Sequence, residues 1–146
     1  MSRKLKLKLI LSSTLVAGLL VAGCGTDKQE SVTVNLETFT SPDGNIGCIA
    51  DEQMVRCDIR RKQWKVKKDP DCPLDYGNGL TVADGEAELV CAGDTTLNSG
   101  PDVAPGIVNM VGPFECATGD FGDSMRCENM VTGNGFELSA DRYETF

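Results

Sequence analysis

"CIADEQMVRCDI" (48–59) and "CATGDFGDSMRCEN" (116–129) are built alike: a cysteine, a polar loop rich in turn formers, a methionine near an arginine, and a second cysteine. Their shared endings, "MVRC" and "SMRC", suggest one hairpin made twice, each closed by its own disulfide. In the first, Val55, Cys57 and Ile59 recur at period two, the spacing of a half-buried strand.

The same period recurs outward along the chain, at Val34 and Leu36; Trp64 and Val66; Leu80 and Val82; Ala87, Leu89 and Cys91; and Phe136 and Leu138. Helical periodicity is hard to find. Turn chemistry separates the runs: Pro42, Asp43, Gly44 and Asn45, then Asn78 with Gly79, then Asn134 with Gly135, since Asn and Gly tolerate positive φ. The expected fold class is all-β, a small antiparallel sandwich or partly open barrel stapled by three disulfides, after an N-terminal signal peptide. The tail "LSADRYETF" predicts one helical turn capped by Ser139. "AGDTTLNSGPDVAPG" (92–106) has no periodicity and reads as a long loop, either functional or, as its composition first suggests, mobile.

Six cysteines follow residue 40: Cys48, Cys57, Cys72, Cys91, Cys116 and Cys127. An even set in an exported domain reads as three disulfides. Local context favours neighbours, leaving Cys72 with Cys91 for the middle, although crossed pairings fit the count equally well. A metal cluster is the weaker reading. The chain has no histidine and no CxxC, so the usual zinc spacings are absent. Without histidine, Ser-His-Asp, Cys-His and zinc-hydrolase chemistry are excluded, and no catalytic residue, metal site or cofactor is indicated.

The seventh cysteine belongs to the N-terminus. Arg3, Lys4, Lys6 and Lys8 precede an uncharged stretch from Leu9 to Gly23, the layout of an export signal, and its roughly 15 residues fall short of the ~20 needed to span a bilayer. "LVAGC" (20–24) resembles the lipobox of bacterial lipoproteins, whose cysteine thiol takes a diacylglyceryl group before the signal is cut. That resemblance implies lipidation at Cys24, a signal over residues 1–23 and a tether over 24–32. A single disulfide-rich β domain would then occupy 33–146, held by a covalent lipid anchor to the outer face of the cytoplasmic membrane.

Removing the four signal cations from a chain of 14 basic and 22 acidic residues leaves 10 against 22, a formal charge of −12. Nucleic acid is therefore not an expected partner. Seven of those ten cations fall between Arg56 and Lys68. Within "RRKQWKVKK" (60–68), a strand would turn Trp64 and Val66 to the core and Lys65 and Lys67 to water. Edge lysines deter unwanted strand pairing. The functional reading takes Arg60, Arg61, Lys62, Trp64, Lys65, Lys67 and Lys68 as a cationic strip for anionic lipid or a wall polymer.

"FTSPDGNIGCIADEQMVRCDI" (39–59), "DCPLDYGNGLTV" (71–82), "LVCAGDTTL" (89–97), "FEC" (114–116) and "GNGFELSADRYETF" (133–146) resemble a family of small exported domains and lipoproteins from actinobacteria. The family pattern runs roughly SPSGNIxC, RCDI, CPxDWGxGL, CAGDT, a late cysteine pair and GHGFxLSRxxYxxF. The resemblance implies export and a shared fold and supplies no catalytic residues. Tyr76 stands for the family's usual Trp and Asn134 for its usual His, so any activity resting on that histidine is expected to be missing.

The best reading is a non-enzymatic binding module for an envelope component. A second binder is an anchored acidic inhibitor of a cationic wall-degrading enzyme, steered by opposite charge. The enzyme alternative is a carboxylate hydrolase acting on wall glycans through Asp94 with Asp75 or Glu88. Asp94 and Thr95 in "CAGDT" read more simply as an Asx or Ser/Thr turn. "TGDFGDS" (118–124) reads as a hairpin tip, because it lacks the ligand count and terminal glutamate of a calcium loop.

Overall fold

Both cysteine hairpins form, one in each of two stacked sheets, in a computed structural model that describes residues 32–146. Cys24, the expected signal and the expected tether up to residue 31 lie outside the described residues. The strands, numbered along the chain, are Val32–Val34 (β1), Thr38–Thr40 (β2), Ile46–Ala50 (β3), Val55–Ile59 (β4), Asp75–Val82 (β5) and Glu88–Ala92 (β6). They continue with Ile107–Val111 (β7), Phe114–Thr118 (β8), Ser124–Asn129 (β9), Gly135–Ser139 (β10) and Tyr143–Thr145 (β11). Val32, expected as the last tether residue, opens β1.

One sheet runs β1-β7-β8-β9-β10-β11 and the other β2-β3-β4-β5-β6. All pairings between strands are antiparallel except β1 with β7. Among the described residues there is no helix, and the sheets do not close into a barrel. The architecture is the expected sandwich.

Period-two burial explains the core. Inward side chains of the two sheets interdigitate, with Phe39, Ile46, Val55 and Leu80 from one meeting Phe114, Met125, Phe136 and Leu138 from the other. Cys48 sits directly opposite Cys57, and Cys116 opposite Cys127, and both pairs are bonded. The two bridges meet in the middle of the core, where Cys57 Sγ lies 3.8 Å from Cys127 Sγ. Both sulfurs are oxidised, so neither has a proton to donate and the contact is van der Waals. Cys72–Cys91 is the third bridge and ties the chain before β5 to β6.

Four local expectations change. Asn78 and Gly79 do not form a tight turn but lie within β5, where the register with β6 shifts between Tyr76 and Leu80, a bulge that absorbs the irregular residues. The tail forms no helical turn. Ser139 instead closes a hairpin, its Oγ accepting from Arg142 N at 3.2 Å, and β11 then pairs with β10. Trp64 and Val66 do alternate with exposed neighbours, yet residues 60–68 are not a strand. They arch from the end of β4 to the β10–β11 turn, reaching it through Gln63 N to Ala140 O, 2.7 Å. The long loop is pinned, with Val103 in the core, Thr40 N bonded to Pro101 O and Val103 N bonded to Thr40 O.

The sandwich has two distinct ends. At one, four hairpin turns meet: Met130 N bonds Pro113 O, and the side-chain amides of Asn129 and Asn134 donate to Ala83 O and Gly85 O, each at 2.9 Å. At the other lie the strap of residues 60–68, the loop after β6 and the β8–β9 turn. Val32 pairs with Ile107, the first residue of β7, so the chain enters at this second end.

Candidate functional site

Alternation along β4 sends Cys57 into the core and Arg56 and Asp58 out onto the opposite face of the sheet. There the segment after β6 folds over them and makes a concavity of about 400 Å³ whose lining includes Arg56, Asp58, Asp75, Asn78, Val90 and Asp94. Two of the stretches that carry the family resemblance, "RCDI" and "CAGDT", thus come together.

Arg56 is the hinge of the arrangement. Its Nε donates to Asp58 Oδ1 at 3.1 Å and its Nη2 to Asp58 Oδ2 at 2.7 Å, a two-point ion pair. Nη1 reaches Asp94 Oδ1 and Nη2 the Asp94 carbonyl, both at 2.9 Å. Burial alone would weaken the proton affinity of this guanidinium. The hydrogen bonds to Asp58 and Asp94, with their charges, outweigh that effect and leave it above the ordinary value.

Thr96 fastens the covering loop. Its backbone N donates to Asp58 Oδ2 at 3.0 Å, its hydroxyl donates to Gly47 O at 2.6 Å, and the same oxygen accepts from Asp58 N at 3.1 Å. Such approach requires bare backbone beneath it. A Cβ on Gly47 would clash with the Thr96 carbonyl, and one on Gly79 with the Cys57 carbonyl and the Asp58 carboxylate. Asp58 is consequently buried, its side chain only 4% exposed, whereas that of Asp94 is 80% exposed.

Three carboxylates line the concavity, Asp58, Asp75 and Asp94, while Glu88 is absent from its lining. Glycoside hydrolysis needs one carboxyl group held protonated, with a raised pKa. Asp94 moves the other way: the hydrogen bond from Arg56, then its charge, hold this carboxyl below its ordinary 3.8. The Asp94 contribution to stability is therefore complete above pH 3.8 and fades as pH falls through the lower folded value. NMR titration of the Asp94 carboxyl carbon should place its midpoint below that of an Asp94 peptide. A midpoint at or above the peptide value would show that Arg56 does not hold it in solution.

The basic run divides by role. Arg60 Nη2 donates to Asn98 Oδ1 at 2.6 Å. Lys62 lies 4.1 Å over the Trp64 ring and its ammonium donates to Gly77 O, and burial lowers its proton affinity. Trp64 donates through Nε1 to Ser139 O at 2.9 Å and packs against Tyr143, ring centres 4.7 Å apart. These three fasten the strap. Arg61, Lys65, Lys67 and Lys68 are exposed and, among the described residues, form no ion pair.

Sequence reading missed the Arg56–Asp58–Asp94 network. Period two predicts that Arg56 and Asp58 share a face, but nothing local announces Asp94, 38 residues away. Asn134, at the position where the resemblance leads one to expect His, is not among the residues lining the concavity and ties two turns together through Gly85 O. "TGDFGDS" is a hairpin tip, and it carries Phe121 at 89% exposure. Compared with family models, with curated proteins and with solved structures, the chain finds no match.

Proposed function

We propose that the chain is a lipid-anchored extracytoplasmic protein, tethered through Cys24, whose folded domain is a non-enzymatic binding module for an anionic envelope component. One observation carries the reading. Arg61, Lys65, Lys67 and Lys68 project, free of acidic partners among the described residues, from a strap at the end of the sandwich where the chain enters from the tether. A tether at that end brings the strap towards the membrane surface, where each nearby cation contributes ~1 kcal/mol against anionic headgroups. The likeness to exported actinobacterial lipoproteins supports the same reading. So does the concavity, whose arginine engages two of its carboxylates and lowers the proton affinity of Asp94.

Two arms test it. In cells, Cys24→Ser should abolish incorporation of a labelled fatty acid into the protein. In vitro, residues 25–146 contain all the strands and bridges described here, and should co-sediment with phosphatidylglycerol vesicles but not with phosphatidylcholine ones. Raising salt from 0.05 to 0.5 M should remove most of that binding, since screening shortens from ~14 to ~4 Å. Lys65→Glu, Lys67→Glu and Lys68→Glu together should abolish it. Binding indifferent to both salt and charge reversal would remove the strap from the account, and a label retained by Cys24→Ser would remove the anchor.

A further inference from the structure

The end of the sandwich remote from the strap has a different chemistry. The β9–β10 hairpin projects there with Met130 54% exposed and Val131 82% exposed, side chains that a turn tip has no folding reason to carry. The neighbouring turns hold Asp51, Glu52, Asp84 and Glu86, all exposed. No lysine or arginine occurs in the four turns that meet at this end, residues 51–54, 83–87, 112–113 and 130–134. Glu52 packs against the turn at Gly112, where a Cβ would lie 2.9 Å from the Glu52 Cα, and Asn134 binds the turn of Gly85. The apolar tip and its acidic surround are thus one rigid surface. A shallow recess of about 280 Å³ adjoins it, lined by Glu86, Ala87, Asn134, Thr145 and Phe146.

We infer that this end is a docking surface for a cationic protein with an open cleft, Met130 and Val131 entering the cleft and the four carboxylates facing its basic rim. Shape fixes the first half of the assignment, because a projecting hairpin needs a concave partner. Charge fixes the second, because four carboxylates without an intervening cation repel an acidic or anionic one. The surface is independent of the strap and lies at the opposite end of the domain, so it stays accessible when the strap faces the membrane.

The test uses the full chain, purified with its anchor in detergent micelles, and two cationic probes: lysozyme, which has an open cleft, and cytochrome c, which has none. Lysozyme is expected to bind and cytochrome c to bind at least about tenfold more weakly. Val131→Asp should weaken lysozyme binding by about tenfold or more, as loss of a buried apolar anchor does. Reversing Glu52, Asp84 and Glu86 to Lys should slow association, with the effect shrinking as salt rises. All the altered side chains are exposed, and circular dichroism of each variant is the check that it is folded. No lysozyme binding up to about 0.1 mM, equal binding of the two proteins, or indifference to Val131→Asp would each overturn the assignment. Vesicle binding through the strap is read separately, so either result stands without the other.

Discussion

Reduced and alkylated, the domain is expected to unfold at room temperature, losing its strand signal in far-ultraviolet circular dichroism. The bridges close sequence separations of 9, 19 and 11 residues. In the chain-entropy model each contributes ~3 kcal/mol, ~8–9 kcal/mol together. A domain of this size nets only ~5–15 kcal/mol, so the loss removes more than half of the net stability at the upper end of that range and all of it at the lower end. Packing adds to the effect, because Cys48, Cys57 and Cys127 are fully buried and two of the bridges touch at the centre of the core. Removing one bridge should be graded by position. Cys72→Ala with Cys91→Ala should lower the melting temperature less than Cys48→Ala with Cys57→Ala, since Cys91 is exposed at the edge strand β6. A reduced protein that still melts cooperatively above about 45 °C would show that the two sheets hold without their staples.

Asp58→Ala is expected to be the most damaging single substitution outside the core. The carboxylate receives both bonds of the Arg56 fork and the amide of Thr96. Its removal leaves a guanidinium whose side chain is only 13% exposed with Asp94 as its one remaining acidic partner among the described residues. Breaking one side of a buried pair typically costs about 3–5 kcal/mol, which corresponds to a fall of roughly 10–20 °C in melting temperature for a domain of this length. The loop that Thr96 fastens should loosen as well, seen as faster hydrogen exchange at the Thr96 amide. Adding Arg56→Met to Asp58→Leu should recover much of the loss, because no charge is then stranded. A single Asp58→Ala variant within about 1 kcal/mol of the parent would falsify the idea that this pair locks the loop.

Cysteine spacing, period-two alternation and the 42–45 turn chemistry are local, and they point to an all-β sandwich or partly open barrel and favour neighbouring cysteine pairs while leaving crossed pairings open; the structure selects the sandwich and the neighbouring pairs. Where local rules competed with long-range pairing, they lost. Asn78 and Gly79 are good turn formers, yet β5 runs through them because strands on both sides supply hydrogen-bond partners and a bulge relieves the geometry. Ser139 is a good helix cap, yet the sheet edge offered the last residues more backbone partners than an isolated turn could, with Phe146 and Gly135 exchanging both amide bonds. The strap looked like a strand because burial alternates along it, and alternation records only which side faces the protein.

The class of fold, the disulfide count and the uneven charge along the chain are all legible in the residues before any folding. Which cations are bonded and which have no acidic partner among the described residues, that Arg56 meets Asp94, and that these cations lie at the opposite end from the apolar hairpin tip and its acidic surround are decided by the tertiary structure. Side-chain period and turn preference act between residues a few positions apart, whereas these pairings depend on how two sheets stack and which loops their ends bring together. That information exists only once the chain has closed on itself.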